Sequence, residues 1–75
     1  MRRTSEELAS ILGGEIRVVR KAAKMLSREL GEATGLSQQA ISSYETGDRL
    51  VPIDKLLAVC DVLGIDICEL MKKVT

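Results

Sequence analysis

The sequence is poor in the side chains that most catalytic and metal-binding sites need. It contains no histidine, tryptophan or phenylalanine, a single tyrosine and two cysteines among 75 residues. Two cysteines without histidine are too few soft ligands for a structural zinc site, and the lack of histidine removes most nucleophile–base pairs. No carboxylate pair stands out as an acid–base couple. We therefore expect no enzyme, no metal site and no other cofactor.

Long apolar segments are missing as well. A helix that spans a bilayer needs about 20 consecutive apolar residues, and no run in this chain approaches that length. Near the N-terminus, Glu6, Glu7 and Glu15 interrupt every apolar stretch, which argues against a secretory signal. These absences predict a protein that has no membrane partner and works in the cytoplasm.

Proline occurs once, strand signals are weak, and the apolar residues recur at helical spacing. The sequence therefore predicts an all-α fold, a compact bundle of about five short helices in a single domain, residues 1–75. A domain of this size buries only about 60% of the surface of its unfolded chain, so oligomerisation is an attractive way to bury more.

Capping residues and glycines mark where the first helices begin and end. Thr4 with Glu7 three positions later predicts a capping box, and the pair Gly13–Gly14 is expected to interrupt or bend the helix that follows. Beyond the glycines, apolar residues recur on what we predict to be one buried face. They are Ile16, Val19, Ala23, Leu26 and Leu30.

The middle of the chain reads as a helix, a tight glycine turn and a second helix. Gly35 stands where a helix commonly ends in the left-handed conformation. Ser37 is a natural N-cap for the next helix, predicted over about residues 38–46. In that helix Ile41 and Tyr44 are expected to face inward.

Two further helices are predicted after Pro52, which suits the first turn of a helix. The apolar face of the first consists of Ile53, Leu56, Leu57, Cys60 and Leu63. Asp66 with Glu69 three positions later caps the last helix. Cys60 and Cys68 are both expected to be buried free thiols.

The last helix has a strongly apolar edge, in a chain that is too short to form a large hydrophobic core. We predict that this edge is a dimer surface, with packing on the chain's own core as the alternative. It consists of Ile67, Leu70, Met71 and Val74.

The net charge of zero argues weakly against nucleic-acid binding, but the charges are unevenly distributed. Residues 1–28 hold seven basic and three acidic side chains, whereas residues 29–51 hold one basic and four acidic. The basic N-terminal third fits either a phosphate-facing patch or an ordinary solvated helix face.

The helix after Ser37 presents an outer face of Gln38, Gln39, Ser42 and Ser43. A glutamine carboxamide offers one donor and one acceptor, which match N6 and N7 of adenine in the major groove of DNA. Small neighbours on the same face allow close approach of the helix. A solvent-facing polar surface is the alternative interpretation of the two glutamines.

These elements, in this order and spacing, resemble the lambda-repressor-like family, the Cro/C1 and XRE-type helix-turn-helix regulators. The resemblance runs from about Ile16 to Met71. It rests on Ile16-Arg17-x-x-Arg20, Leu30, Ala33-Thr34-Gly35-Leu36-Ser37-Gln38, Ile41-Ser42-x-x-Glu45-x-Gly47, Pro52 before Leu56-Leu57, and Leu63-Gly64-Ile65-Asp66 followed by Glu69-Leu70.

The resemblance implies a helix-turn-helix over about residues 27–46 and a role for several residues. The implied base contacts are Gln38, Gln39 and Ser43. Ser27 and Ser37 match positions that cap the two helices of the motif and touch phosphates, and Arg28 and Arg49 are phosphate ligands by position and charge. Arg20 and Glu45 match a structural ion pair.

The sequence departs from the family pattern in three places. Gly31 stands where the family usually has alanine, which is expected to loosen its helix by about 0.5–1 kcal/mol. Lys24 and Leu26 replace the usual glycine and cap between the first two helices, so Ser27 is the candidate cap or the two helices are nearly continuous. The loop before Pro52 is one residue longer than common, which weakens the assignment of Arg49.

The resemblance implies a transcriptional regulator that acts as a homodimer on double-stranded DNA and reads a pseudo-palindromic operator, in the manner of a repressor or Cro protein. Two alternatives keep the fold with another role, namely a protein-interaction module and an antitoxin whose partner is a toxin. The residues do not separate a phage repressor, a restriction–modification controller and a host regulator.

Overall fold

The computed structural model describes residues 3–75, which form five α-helices. The helices are α1 (Ser5–Ala22), α2 (Ser27–Thr34), α3 (Gln38–Thr46), α4 (Ile53–Leu63) and α5 (Ile67–Val74). Residues 3–75 contain no strand, so the all-α prediction is confirmed. No helix in this part of the chain is both long enough and apolar enough to cross a membrane.

Helix α1 continues through Gly13 and Gly14, so the interruption that the sequence predicted as one possibility does not occur. The predicted capping box is present, because the amide of Glu7 donates to Thr4 Oγ1 at 3.1 Å and the amide of Thr4 donates to Glu7 Oε1 at 3.0 Å. Gly13 has a packing role instead. A Cβ atom there would overlap with the carbonyl oxygen of Tyr44, so α1 and α3 cross at this glycine.

A short turn separates α1 from α2 and settles the boundary that the sequence left unmarked. Lys24 adopts a positive φ of 57°, the conformation that glycine takes most easily. Leu26, not Ser27, is the N-cap residue of α2, and its amide donates to Glu29 Oε1 at 2.8 Å. Ser27 is therefore the first residue of the helix and does not cap it.

The turn also divides the apolar stripe that was predicted to be one buried face. Ile16 and Leu30 are fully buried, whereas Ala23 and Leu26 are exposed. Ala23 is the C-cap residue at the end of α1 and Leu26 lies beyond the turn, so a helical periodicity extended this far misplaces both side chains.

Every helix contributes at least one fully buried aliphatic side chain to a single core. The contributions are Ile16 from α1, Leu30 from α2, Ile41 from α3, Leu56 and Val59 from α4, and Leu70 from α5. Tyr44, the single aromatic residue, is also buried among them. Helix α1 packs against α3, α4 and α5, while α2 packs against α3 and α4.

The apolar edge of α5 lies largely on this core. Leu70, which the sequence assigned to a dimer surface, is only 1% exposed and so is not available to a partner in the folded chain. Ile67, Met71 and Val74 are half-buried and pack against the core. The alternative interpretation was that this edge packs on the chain's own core. It holds for Leu70 and for the buried part of Ile67, Met71 and Val74.

The inward face of α4 is narrower than the sequence indicated. Leu56, Val59 and Cys60 are buried, but Ile53 and Leu57 are 63% and 48% exposed. Because Ile53 and Leu57 are four residues apart, they lie on one face of the helix that points away from the core.

The two cysteines differ in environment, contrary to the expectation that both are buried. Cys60 is a buried free thiol, and burial raises its pKa, which suits an unreactive core residue. Cys68 is exposed in the first turn of α5. No group of three or more potential metal-ligating side chains comes together in residues 3–75.

A buried ion pair ties α1 to α3. Arg20 Nε donates to Glu45 Oε2 at 2.6 Å and Arg20 Nη2 donates to Glu45 Oε1 at 2.9 Å, a bidentate geometry. The third nitrogen, Nη1, donates to the carbonyl oxygen of Met25 at 2.8 Å, in the turn before α2. Hydrogen bonding to Glu45 raises the pKa of Arg20, so the guanidinium keeps its charge although both side chains are buried.

The neighbouring glycines of α1 should respond in opposite ways to alanine. Gly13→Ala is expected to destabilise the fold by about 1–3 kcal/mol or more, because its Cβ has no room against the backbone of α3. Gly14→Ala, whose Cβ would meet nothing within 4 Å, should stabilise by about 0.5–1 kcal/mol through higher helix propensity. Urea unfolding measures both. A shift of the same sign in the two variants would contradict the close crossing.

Glu45→Gln should cost about 3–5 kcal/mol of unfolding free energy, because it leaves the buried guanidinium of Arg20 without its counter-charge. Glu32→Gln is the matched control. Its carboxylate lies 3.9 Å from Arg28 in an exposed pair, so the expected loss is at most about 1 kcal/mol. Equal losses in urea unfolding would show that burial does not govern the strength of the Arg20–Glu45 pair.

Candidate nucleic-acid interface

Helices α2 and α3 are joined by a turn that depends on two glycines. Gly35 ends α2 with a φ of 75°, a conformation that glycine adopts without strain. The amide of Leu36 donates to the carbonyl oxygen of Gly31 at 2.8 Å. A Cβ atom on Gly31 would lie 2.6 Å from the carbonyl oxygen of Leu36. The expectation that Gly31 merely loosens α2 is therefore wrong, since this glycine lets the turn close against the helix.

Helix α3, which covers the residues predicted for the recognition helix, starts at a capped N-terminus. Ser37 is its N-cap, and Ser37 Oγ accepts a hydrogen bond from the amide of Ala40 at 3.0 Å. Ile41 and Tyr44 face the core. Gly47 ends the helix with a φ of 81°. The Ser37 side chain and the left-handed conformation of Gly47 thus determine where α3 begins and ends.

The outer face of α3 is polar and uncharged. Gln38, Gln39 and Ser42 are exposed, and Ser43 is half-buried one turn after Gln39. The one ionisable carboxylate of the helix belongs to Glu45, which is buried and paired with Arg20. The exposed surface of α3 therefore repels neither an anion nor a neutral polar ligand.

The N-termini of α2 and α3 lie side by side. Gln38 Nε2 donates to Ser27 Oγ at 3.4 Å, a weak hydrogen bond that links the first residues of the two helices. Ser27 thus positions a carboxamide of α3, a role that its resemblance to a phosphate-contacting residue did not indicate. The free amides at two adjacent helix starts also favour an anion nearby.

The two arginines assigned to phosphate contacts lie at different places. Arg28 is exposed in the first turn of α2, and its Nε lies 3.9 Å from Glu32 Oε1. Arg49 follows α3, where its amide donates to the carbonyl oxygen of Ser43 at 3.3 Å. Its guanidinium lies over the ring of Tyr44, 5.5 Å from the centroid. One arginine therefore stands near each end of the motif.

The structure adds three exposed cations whose individual roles the sequence analysis did not consider. Arg17 and Lys21 lie on α1, and Lys24 lies in the turn three residues before the start of α2 at Ser27. Their signal was the excess of basic residues in the first third of the chain. That excess could not be assigned to a surface without knowing that Arg20, in the same run, is buried.

Comparisons with known proteins agree with this arrangement. A family model described as helix-turn-helix matches residues 16–70. Two crystal structures of the clp gene regulator ClgR from Corynebacterium glutamicum are similar to the present chain. In each comparison the sequence identity is 30% and the match covers 89% of the present chain. Their TM-scores are 0.83 and 0.82, and the match covers 71% and 87% of the two ClgR chains. A comparison with curated protein sequences finds no match.

The family match extends from the second half of α1 to α5 and includes the turn between α2 and α3. It covers well over half of the chain, and the two ClgR structures share the same fold across most of their length. The chain therefore belongs to the Cro/C1-type (XRE) helix-turn-helix family, whose members are DNA-binding transcriptional regulators rather than enzymes.

Proposed function

We propose that the protein is a sequence-specific regulator that reads double-stranded DNA by placing α3 in the major groove. The observation that carries this proposal is the outer face of α3. Gln38 and Gln39 are exposed there on a helix whose own carboxylate, on Glu45, is turned inward and neutralised by Arg20. A helix of this character can approach the negatively charged backbone and still offer donors and acceptors to base edges.

Gln38, Gln39 and Ser43 are the proposed base-reading residues. A glutamine can donate to and accept from an adenine edge at once, and the first turn of a recognition helix is the part that contacts base edges in this class of motif. The weak hydrogen bond from Gln38 to Ser27 favours one placement of the Gln38 carboxamide. Ser43 is half-buried, so it reaches a base only where the helix lies deep in the groove.

Phosphate contacts are proposed for Ser27, Arg28, Ser37 and Arg49. Ser27 and Ser37 stand at helix starts, where backbone N–H groups and the helix dipole favour an anion. Arg28 and Arg49 bring a positive charge to the beginning of α2 and to the end of α3. Such contacts position the protein on the duplex, while the contacts to bases discriminate sequence.

The proposed active form is a homodimer on a pseudo-palindromic operator. Two recognition helices related by a two-fold axis enter successive major grooves about 34 Å apart. Binding within a promoter blocks polymerase, which is the repressor-like action that we propose; recruitment of polymerase would make the protein an activator instead. Selection of bound fragments from a random DNA pool gives the motif, its symmetry and the half-site spacing in one experiment.

The zero net charge favours a second candidate, a protein-interaction module or antitoxin that keeps the helix-turn-helix fold. Such a protein binds DNA weakly or only as part of a complex with another protein, for example a toxin. The selection experiment separates the two candidates, because a module of this kind enriches no motif when it is assayed alone.

Gln38→Ala should weaken binding to the selected operator by about 1–3 kcal/mol and leave binding to random DNA nearly unchanged. Ser27→Ala is the companion variant. It removes both the partner of the Gln38 amide at 3.4 Å and a proposed phosphate contact, so it should cause a smaller loss that extends to random DNA. Fluorescence anisotropy on both DNAs measures the difference. If Gln38→Ala weakens both equally, Gln38 does not read bases.

The affinity should depend only moderately on salt. Arg28 and Arg49 supply four cationic contacts in a dimer, so the slope of log affinity against log salt is expected to be about −4. Arg49→Gln should make the slope shallower by about two, whereas Lys72→Gln, an exposed position of α5, should not change it. A wild-type slope near −10 would show that the cations of α1 also bind phosphate.

A further inference from the structure

Most of the large hydrophobic side chains exposed in the described residues fall within one short segment. Leu50, Ile53 and Leu57 are 43%, 63% and 48% exposed, and they occupy the loop before α4 and its first half. The other two, Val18 and Leu26, belong to α1 and to the start of α2. Single exposed hydrophobic side chains are common, but a group of them indicates an interaction surface.

The core does not require these three residues, which we call the α4 patch. Leu56, Val59 and Cys60 already supply the buried face of α4. Exposed aliphatic side chains reduce solubility and contribute little to folding. The α4 patch is therefore explained by contact with another molecule.

We propose that the α4 patch is the surface through which two copies of the chain associate as a symmetric dimer. The inference rests on the proposed function, because a pseudo-palindromic operator needs two copies related by a two-fold axis. The patch follows the recognition helix closely. Leu50 comes four residues after the end of α3 at Thr46, and the amide of Arg49 bonds to Ser43 in α3.

The connection between α3 and the α4 patch is short and is held by a hydrogen bond. A dimer contact at the patch therefore also positions α3. The loop cannot move far from α3 while the Arg49–Ser43 hydrogen bond of 3.3 Å is made. Contact between two α4 patches therefore fixes how the two recognition helices lie relative to each other. A dimer joined through a flexible tail would leave that spacing undefined.

The two charged side chains that directly follow Ile53 are compatible with a second copy of the chain. The carboxylate of Asp54 lies 3.9 Å from the ammonium of Lys55, so these neighbours of Ile53 neutralise each other. The chain as a whole has a net charge of zero, which removes long-range repulsion between two copies. A strongly acidic or basic partner protein would find no opposite charge concentrated in Asp54 and Lys55.

The small number of exposed aliphatic side chains indicates a weak dimer. A standard interface buries about 800 Å² on each partner, which is about a sixth of the 4862 Å² that the chain exposes. Three aliphatic side chains form only the apolar centre of such an interface. We therefore expect association in the micromolar range in free solution, strengthened when two half-sites hold both copies on one DNA.

Sedimentation equilibrium without DNA tests the surface directly. The double variant Ile53→Ser, Leu57→Ser should raise the dimer dissociation constant at least about tenfold, because a two-fold interface loses each side chain twice. Val18→Ser is the matched control, since Val18 is 63% exposed but lies on α1, outside the patch. It should leave the dissociation constant unchanged. Thermal unfolding verifies that both variants remain folded.

The remaining outcomes distinguish this proposal from the proposed function. A wild-type chain that is monomeric at its solubility limit and binds a single half-site overturns the α4 patch as dimer surface and leaves DNA reading intact. An equal loss of association in Val18→Ser also overturns it. A dimer that is lost in the double variant but selects no DNA supports the surface and refutes the proposed function.

Discussion

The Arg20–Glu45 ion pair is the contact on which the placement of α3 depends. One guanidinium binds α3 through the carboxylate of Glu45 and binds the turn before α2 through the carbonyl oxygen of Met25. Three elements are therefore held by a single side chain. The same contact takes the only carboxylate of α3 away from its outer face. A pair that fixes orientation thus also sets the electrostatic character of the surface that would meet DNA.

Close approach of backbones complements the ion pair. Gly13 lets α1 touch the carbonyl of Tyr44, one residue before Glu45, and Gly31 lets the turn fold back onto α2. With a single aromatic side chain, the core has few large groups to fill gaps. Short distances between helices reduce the volume that aliphatic side chains must fill. In this small domain, glycine therefore works as a packing residue at two helix contacts.

The sequence predicted those features that local chemistry determines. The capping box at Thr4, the cap at Ser37 and the end of α2 at Gly35 each depend on residues within a few positions. The sequence did not predict the features that depend on contact with another helix. Gly13 looks like a helix breaker until α3 lies against it, and the exposure of Ile53 follows only from the direction in which α4 meets the core. Ser27 was given a capping role because the sequence does not show where α1 stops.

The neutral charge of the chain and the apolar α4 patch have a common consequence. A domain with few cations near its reading helix gains little affinity from phosphates, so one copy alone is expected to hold DNA weakly. In the proposed dimer, two copies joined through Ile53 and Leu57 would bind as a unit, and the second half-site would add its affinity at a high effective concentration. Hydrophobic association between copies would in this way replace part of the electrostatic attraction that a basic domain brings to the duplex. Occupancy of an operator would then rise more steeply with protein concentration than it does for a protein that binds as a preformed dimer.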